Sequence, residues 1–184
     1  MIMKSTKFSL ILLLAFFAAI FSITSCGDDD AEVKGCTDEQ SENYNASANT
    51  DDGSCVYARD KFIGDFVGSF DCPGALAGVI KSDSSYTFTI LEDVDTEAGP
   101  NDIVVKFAVK LELIPNAVPV ELKGTVSGNV LTIDNYSYTI AGFIPATFDA
   151  TIVYNDANDT ISGDIALMSD AYGNDVCSMN AKKQ

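Results

Sequence analysis

The sequence predicts an all-β protein, and three observations lead to that prediction. Apolar and polar residues alternate at every second position over most of the chain beyond residue 60, which is the period of a strand with one buried and one solvated face. Short turn sequences rich in Gly, Asn and Asp separate these runs. Eight to ten runs follow one another closely. We therefore expect an antiparallel up-and-down barrel of eight to ten strands, with a β-sandwich as the alternative.

The alternation is clearest from residue 103 to residue 113, where lysine and glutamate lie between apolar residues. Ser127-Gly128-Asn129 and the sequence from Asn155 to Asn158 have the composition of hairpin turns. The predicted strands lie near residues 61–70, 75–82, 85–92, 102–113, 118–126, 129–135, 137–143, 147–155, 159–168 and 174–180.

Composition and charge exclude several classes of function. The chain of 184 residues has 27 acidic and 11 basic side chains and no histidine. Without histidine there is no Ser-His-Asp or Cys-His catalytic system and no imidazole zinc ligand. A formal net charge of −16 argues against nucleic acid as a partner, because phosphates require a surface of Lys and Arg. The acidic residues cluster in predicted turns, so we expect no enzymatic activity.

The first 25 residues have the pattern of an export signal. Lys4 and Lys7 form a basic start, an apolar stretch follows from residue 8 to residue 23, and the composition changes abruptly after Cys26. The residues Ile23-Thr24-Ser25-Cys26 resemble a bacterial lipobox, in which the cysteine becomes the lipidated first residue of the mature chain. This resemblance implies a helical signal peptide over 1–25, lipidation of Cys26 and attachment to a membrane through the lipid.

An acidic segment over 26–34 follows the predicted lipidation site. Its residues Gly27-Asp28-Asp29-Asp30 resemble the export signal of Bacteroidota-type surface lipoproteins. The resemblance implies an outer-membrane lipoprotein exposed at the cell surface, and a lipoprotein that faces the periplasm is the alternative. As a block of like charges, the segment would also act as a solvated tether.

Four cysteines remain after Cys26, and in an exported chain they imply two disulfides with three possible connectivities. Cys36 and Cys55 enclose one short polar segment, whereas Cys72 and Cys177 bracket nearly all of the β-patterned region. We therefore predict the pairs Cys36–Cys55 and Cys72–Cys177. This gives a disulfide-closed module over 35–57 and a β-domain over 60–184.

The predicted module contains Gly35-Cys36-Thr37-Asp38, then Asn43-Tyr44-Asn45, then Asp51-Asp52-Gly53-Ser54-Cys55. These residues resemble a short Cys-bracketed module that recurs in exported proteins of the same bacterial group. The acidic residues Asp38, Asp51 and Asp52 offer the oxygen ligands that Ca²⁺ prefers, so a weak calcium site is one hypothesis; no other cofactor is expected. The other hypothesis is a stapled spacer, because the segment lacks the full calcium-loop pattern and Asx side chains favour turns.

The residues Lys61-Phe62-Ile63-Gly64-Asp65-Phe66 resemble the opening strand of lipocalin-like barrels. In that family a G-x-W motif begins the first strand, and its aromatic residue plugs the base of the barrel. Phe66 stands here in place of the tryptophan. The resemblance implies a lipocalin-like barrel over 60–184 in which Phe66 has this packing role.

A barrel of about eight strands can hold one small ligand, and the apolar face of each strand would line it. An apolar lining suits a lipid-like or aromatic ligand. The same side chains could instead fill a solid core, in which case surface interaction or adhesion is the alternative function. The predicted lining residues are Phe88, Ile90, Phe107, Val109, Leu122, Phe148 and Ile152.

Glycan binding is a further hypothesis. Tyr136 and Tyr138 lie two residues apart and so share a strand face. Together with Tyr86 and Tyr154 they could form a platform for sugar rings. Tyrosine is also an ordinary strand residue, so its presence alone does not distinguish these possibilities.

Overall fold

A computed structural model describes residues 31–74, 85–110, 116–142, 144–171 and 173–184. The chain divides into two compact units, Met1–Val33 and Lys34–Gln184. The second unit contains every strand that the structure describes. The predicted strand near 75–82 and the predicted signal peptide lie outside the described residues.

Ten strands and one short 3-10 helix make up the described structure. The helix spans Ala58–Lys61. The strands are β1 Lys34–Gly35, β2 Thr50–Asp51, β3 Gly64–Asp71, β4 Tyr86–Glu92, β5 Asp102–Val109, β6 Val118–Ser127, β7 Val130–Ile140, β8 Ile144–Asn155, β9 Thr160–Ser169 and β10 Gly173–Lys183.

Strands β3 to β10 form a closed barrel in which each strand pairs antiparallel with the strand before it. The ring closes where β10 pairs with β3, for example Met179 opposite Phe70. The prediction of an antiparallel up-and-down barrel is confirmed, and the sandwich alternative is wrong. Because the strands join in a closed ring, alternate residues of every strand face one shared interior.

Eight barrel strands lie within the predicted range of eight to ten, but two of the predicted runs form one strand, β7. Residues 129–135 and 137–143 were expected to form two strands, but Val130–Ile140 is a single strand. A bulge shifts its register against β8 between Ile133 and Tyr136. Asn135 has a φ of 46°, a left-handed conformation that Asn adopts more readily than most residues. The polar pair Asp134-Asn135 therefore lies at a bulge within one strand.

The pairing between β6 and β7 is incomplete. The two strands pair only from Thr125 opposite Thr132 to Ser127 opposite Val130. Past these pairs β6 continues along β5, and β7 continues along β8. We use "the seam" for the facing parts 118–124 and 133–140. The seam lies toward the end of the barrel at which β5, β7 and β9 finish.

Pro119 and Tyr138 bridge the seam. The Tyr138 hydroxyl donates a hydrogen bond of 3.2 Å to the carbonyl oxygen of Pro119. The N–H and C=O of one strand residue point toward the same neighbouring strand, so the proline nitrogen also faces β7. A nitrogen without a hydrogen cannot continue the ladder. This explains in part why the two strands are not paired here.

Two inward positions of the strands require glycine because a neighbouring backbone comes close. A Cβ added to Gly163 on β9 would lie 2.1 Å from the carbonyl oxygen of Thr151 on β8. A Cβ added to Gly68 on β3 would lie 2.0 Å from the carbonyl oxygen of Asn180 on β10. Glycines of this kind let strands bend and approach closely in a barrel.

Both disulfides have the predicted connectivity. Cys36 bonds Cys55 across a sequence separation of 19 residues, and Cys72 bonds Cys177 across a separation of 105 residues. The second bond joins the chain just after β3 to β10, the two strands whose pairing closes the ring. It therefore reinforces the point of barrel closure.

The disulfide-closed module is built around its asparagine motif. The Asn43 side chain donates to the carbonyl of Ser54 at 2.6 Å and accepts from the N–H of Val56 at 2.8 Å. In the same segment β1 and β2 form a short parallel pair. The residues of the sequence motif thus hold the module's own loops together.

Polar contacts join the module to the barrel. Lys61 pairs with Glu42 at 3.2 Å and donates to the side-chain oxygen of Asn129 at 3.0 Å. The Asn101 side chain donates to the carbonyl of Gln40 at 3.2 Å. All these barrel residues lie at one end, at which the 3-10 helix and the turns after β6 and β8 are found. We call it the closed end, and the opposite end the open end.

Candidate ligand-binding site

The 3-10 helix and the aromatic residues beside it fill the closed end. Phe62 directly follows the helix and is fully buried, with its ring centroid 5.4 Å from that of Tyr154. Phe66, on β3, is also fully buried and meets Tyr154 edge-on at 6.4 Å. Phe66 thus packs at the base of the barrel, which is the position that the sequence resemblance implied.

Lys183 also lies at the closed end, beside Phe66. Its ammonium group donates to the carbonyl of Lys61 at 2.8 Å and lies 5.7 Å from the centroid of the Phe66 ring. The ammonium thus has both a hydrogen-bond acceptor and the face of an aromatic ring. The run predicted near 174–180 ended too early to include this residue.

Replacing Phe66 with Ala should destabilise the barrel by about 3–5 kcal/mol, because a fully buried ring would leave a cavity. Denaturant unfolding followed by circular dichroism would measure the change. Leu91→Ala is the matched control, since Leu91 is apolar but 41% exposed on the neighbouring strand, and we expect a change within about 0.5 kcal/mol. If the two substitutions lowered the free energy of unfolding equally, Phe66 would not have the predicted packing role at the base of the barrel.

A second aromatic cluster lies in the open-end halves of β3, β4 and β5. The Phe70 ring lies 5.0 Å from Phe88 and 5.7 Å from Phe107, and Phe88 and Phe107 lie 5.7 Å apart. Tyr86 meets Phe70 at 5.3 Å. These spacings are those of packed aromatic pairs, so the interior beside these three strands is filled by side chains.

The predicted lining residues all lie on inward positions of the barrel. Each is buried and belongs to the one hydrophobic core cluster. Their places differ along the strands: some lie toward the closed end, Phe88 and Phe107 belong to the aromatic cluster, and Val109 ends β5. The members are Phe88, Ile90, Phe107, Val109, Leu122, Phe148 and Ile152.

Inward apolar side chains are buried at both ends of the barrel. Phe66 and Ile90, near the closed end, are 0% exposed, and Val109 and Leu167, near the open end, are 8% exposed. Three inward residues on the β7 side of the seam are only partly buried: Tyr136, Tyr138 and Ile140. Solvent therefore reaches inward apolar side chains along this side of the seam.

Two buried polar side chains lie at the open end. Ser169 ends β9, and its hydroxyl donates to the carbonyl of Pro145 at 3.0 Å. Asp175 lies on β10, alternates with buried Cys177, and accepts from the backbone N–H of Gly74 at 3.1 Å and of Val176 at 2.8 Å. The sequence reasoning missed both. The alternation Asp175, Cys177, Met179 was the available signal for Asp175.

The four tyrosines do not form the platform that was predicted for sugar rings. Tyr86 and Tyr154 occupy inward strand positions and are buried, while Tyr136 and Tyr138 are half-buried against the core. Burial, together with a hydrogen bond of 2.7 Å to Asp159, raises the pKa of Tyr154 to about 12. The platform hypothesis is wrong because strand alternation turns these rings inward.

The carboxylates considered for calcium accept hydrogen bonds within the module. Asp38 accepts from the N–H of Gln40 at 2.8 Å and from the Tyr57 hydroxyl at 2.9 Å. Asp51 and Asp52 each accept a backbone N–H two residues on, at 3.0 Å, and hydrogen bonds from Ser54 lower the pKa of Asp52. In the described part of the chain, no three acidic or cysteine side chains gather as metal ligands. Calcium binding stays a prediction.

An acidic groove of about 820 Å³ lies outside the barrel, beside the loop between β4 and β5. Lys123 lies in it and pairs with Asp93 at 3.0 Å and with Asp95. Hydrogen bonds to Asp95 and Asp93 raise the pKa of Lys123. The backbone N–H of Asp95, and then the Lys123 ammonium, lower the pKa of Asp93. The acidic lining residues are Asp93, Asp95, Glu97, Asp102 and Asp134.

Cys26 lies outside the described residues. Among the residues that the structure does describe, there is no helix long and apolar enough to cross a membrane. Lipidation of Cys26 stays a prediction.

The strand ladders and the burial of inward side chains define the protein as an eight-stranded antiparallel closed barrel with an apolar interior. No protein-family model matches the chain, and no curated protein sequence matches it. Among solved structures, the chain is similar to zebrafish ileal bile acid-binding protein complexed with cholic acid. The two are 12% identical with a TM-score of 0.39, over 68% of this chain and 100% of that chain. The description of the fold therefore rests on the strand ladders themselves.

Proposed function

We propose that this protein is a non-enzymatic, lipid-anchored binding protein that holds a small apolar ligand in the open half of its barrel. The lipid on Cys26 would fix it to the outer membrane with the barrel exposed at the cell surface. Two disulfides support export, because such bonds persist in oxidising compartments. The barrel is the part of the protein that would carry the binding activity.

One observation supports the ligand most directly, namely that inward side chains on the β7 side of the seam, Tyr136, Tyr138 and Ile140, are only partly buried. Apolar surface that water reaches is surface that an apolar ligand can cover, with a gain of about 25 cal/mol per Å². Val109 and Leu167, also toward the open end, keep 8% exposure and would add to this surface. A core built only for stability would leave less of this surface in contact with solvent.

The aromatic cluster of Phe70, Phe88 and Phe107 would limit the size of the ligand. It fills the interior beside β3, β4 and β5, so the binding space would lie between this cluster and the seam. This favours a small molecule, or one end of a longer apolar chain, over a large lipid taken up whole.

Two substitutions of inward alanines test the proposal. Ala146, inward near the open end and 6% exposed, lies beside Tyr138. The Ala146→Phe side chain would occupy the proposed space, so we expect the affinity for the neutral apolar dye Nile red to fall by about tenfold or more, with a change in stability below about 1.5 kcal/mol. Fluorescence titration and denaturant unfolding give the two values.

Ala181→Phe is the matched control at the closed half. Ala181 is 2% exposed and faces Gly68, where even one added carbon would meet the Ala181 side chain at 2.5 Å. We expect this substitution to cost about 1–3 kcal/mol or more through overpacking. If wild-type protein binds no Nile red and the two substitutions destabilise equally, the interior is solid throughout, and the surface-interaction alternative replaces the proposal.

A further inference from the structure

The seam exposes a strand edge of β6 whose backbone groups have no ladder partner on β7. The N–H of Val126 donates to the carbonyl of Asn101, just before β5, at 2.9 Å. Because successive residues of a strand point their N–H and C=O groups to opposite sides, those of Glu121 and Lys123 point toward β7. Within the described strands, the ladder of β6 with β7 does not extend to these two residues. Their backbone groups therefore face the seam.

The two strands stand apart along the seam. Further along, a side chain crosses it, since the Tyr138 hydroxyl donates to the carbonyl of Pro119. Because a tyrosine side chain lies across the gap, the two backbones are further apart here than the roughly 4.8 Å of a ladder. The unpaired edge thus runs from the last ladder pair, Thr125 opposite Thr132, to this bridge.

The acidic groove adjoins the same stretch of the seam. Its lining includes Lys123 and Gly124 on β6 and Thr132 and Asp134 on β7, on either side of the point where pairing stops. Both strands therefore contribute to the wall of the groove exactly where their backbones part.

The groove carries negative charge that its own lysine does not balance. Lys123 is already paired with two of the acidic side chains. Glu97 and Asp134 are exposed and add further negative charge. Val94, in the same lining, is 85% exposed. A positively charged partner complements the acidic side chains, and the exposed apolar residue favours a polypeptide over a simple cation.

We propose that the seam and the acidic groove together bind an extended basic segment of another polypeptide by strand addition. In this mode backbone hydrogen bonds supply affinity, and alternate side chains supply specificity. The basic side chains of the segment face the groove, and the apolar side chains between them face inward beside half-buried Tyr136. The inference adds a partner to the proposed function and does not depend on it, because it rests on the backbone of β6 and on outward side chains.

Three short peptides test the proposal by isothermal titration calorimetry with the full chain. The first alternates lysine and valine, the second has glutamate in place of lysine, and the third is the lysine peptide with alternate backbone amides N-methylated. We expect the first to bind, the second not to bind, and the third to bind about tenfold or more weakly, because it lacks backbone donors. Equal binding of the third peptide would leave only attraction between charges and would overturn strand addition. Failure of the first peptide to bind, or equal binding of the second, would overturn the inference as a whole.

Paired charge substitutions locate the site. Glu97→Gln with Asp134→Asn removes two exposed charges from the groove. Asp164→Asn with Asp170→Asn removes two exposed charges outside its lining. We expect the first pair to weaken binding of the lysine peptide about fivefold and the second pair to leave it unchanged. Equal weakening by both pairs would show that overall charge attracts the peptide and would overturn the assignment to the groove.

Substitutions of Glu121 test the strand edge. Glu121→Pro removes the backbone N–H that faces the seam, where no ladder bond is lost, and Glu121→Ala removes the same side chain but keeps that N–H. We expect the proline variant to bind the lysine peptide about fivefold or more weakly than the alanine variant. Equal binding by the two variants would exclude the edge of β6. If denaturant unfolding shows that the proline variant is not folded, the N-methylated peptide decides the question with wild-type protein.

Discussion

Replacing Cys72 and Cys177 together with serine should lower the free energy of unfolding by roughly 4–5 kcal/mol. The bond closes a loop with a sequence separation of 105 residues. In the chain-entropy model, a loop of that size restricts the unfolded chain strongly, and its removal costs about this much. The bond also joins β10 to the end of β3, so its loss acts at the point of ring closure. Denaturant unfolding under non-reducing conditions would measure the effect.

The other disulfide provides the matched control. Cys36–Cys55 closes a separation of 19 residues within the module. The module meets the barrel through polar contacts such as Lys61 with Glu42, and partly exposed ion pairs contribute little to stability. Serine at both positions should therefore leave barrel unfolding nearly unchanged. Equal losses from the two double substitutions would show that the disulfides do not have these separate roles.

Cys26→Ala should abolish attachment to the membrane. Each methylene of an acyl chain contributes about 0.8 kcal/mol when it enters the bilayer. Loss of several acyl chains therefore removes most of the free energy of membrane binding. We expect wild-type protein from its own cell to partition into the detergent phase and to carry an acyl mass on Cys26. The variant should carry no such mass. Detergent phase separation and intact mass spectrometry give both results.

A second cysteine substitution controls for that experiment. Cys36→Ser replaces a cysteine that is disulfide-bonded in the structure. It should leave both the acyl mass and the partition into the detergent phase as in wild type. An acyl mass that persists in Cys26→Ala would refute the lipid anchor. The proposed ligand site would not be affected by that outcome.

The barrel could be predicted because its strands follow one simple rule. The alternation from Ile103 to Val109 appears in the structure as alternate burial along β5, although Val104 is buried as well. Such a pattern fixes which side chains face inward, since a shift of one residue would reverse every side chain. The cysteine positions supplied the remaining constraint, because they bracket the alternating region.

What the sequence did not predict depends on contacts between strands distant in sequence. Asn135 ended a predicted strand, but its left-handed conformation forms a bulge within β7, which continues along β8. The seam depends in part on the position of Pro119 beside Tyr138, which no local pattern reveals. Lys183 and Asp175 have roles that depend on Phe66 and Gly74, residues more than a hundred positions away.

The pairing of β10 with β3 has a consequence for the order of events during synthesis. The ring cannot close until Met179, which pairs with Phe70, has been synthesised. Until then β3 has one unpaired edge, and the growing sheet is open to contact with other chains. The module needs no such delay, because Cys36 and Cys55 lie close together and early in the chain. We therefore expect a nascent chain to form its module first and to seal its barrel last.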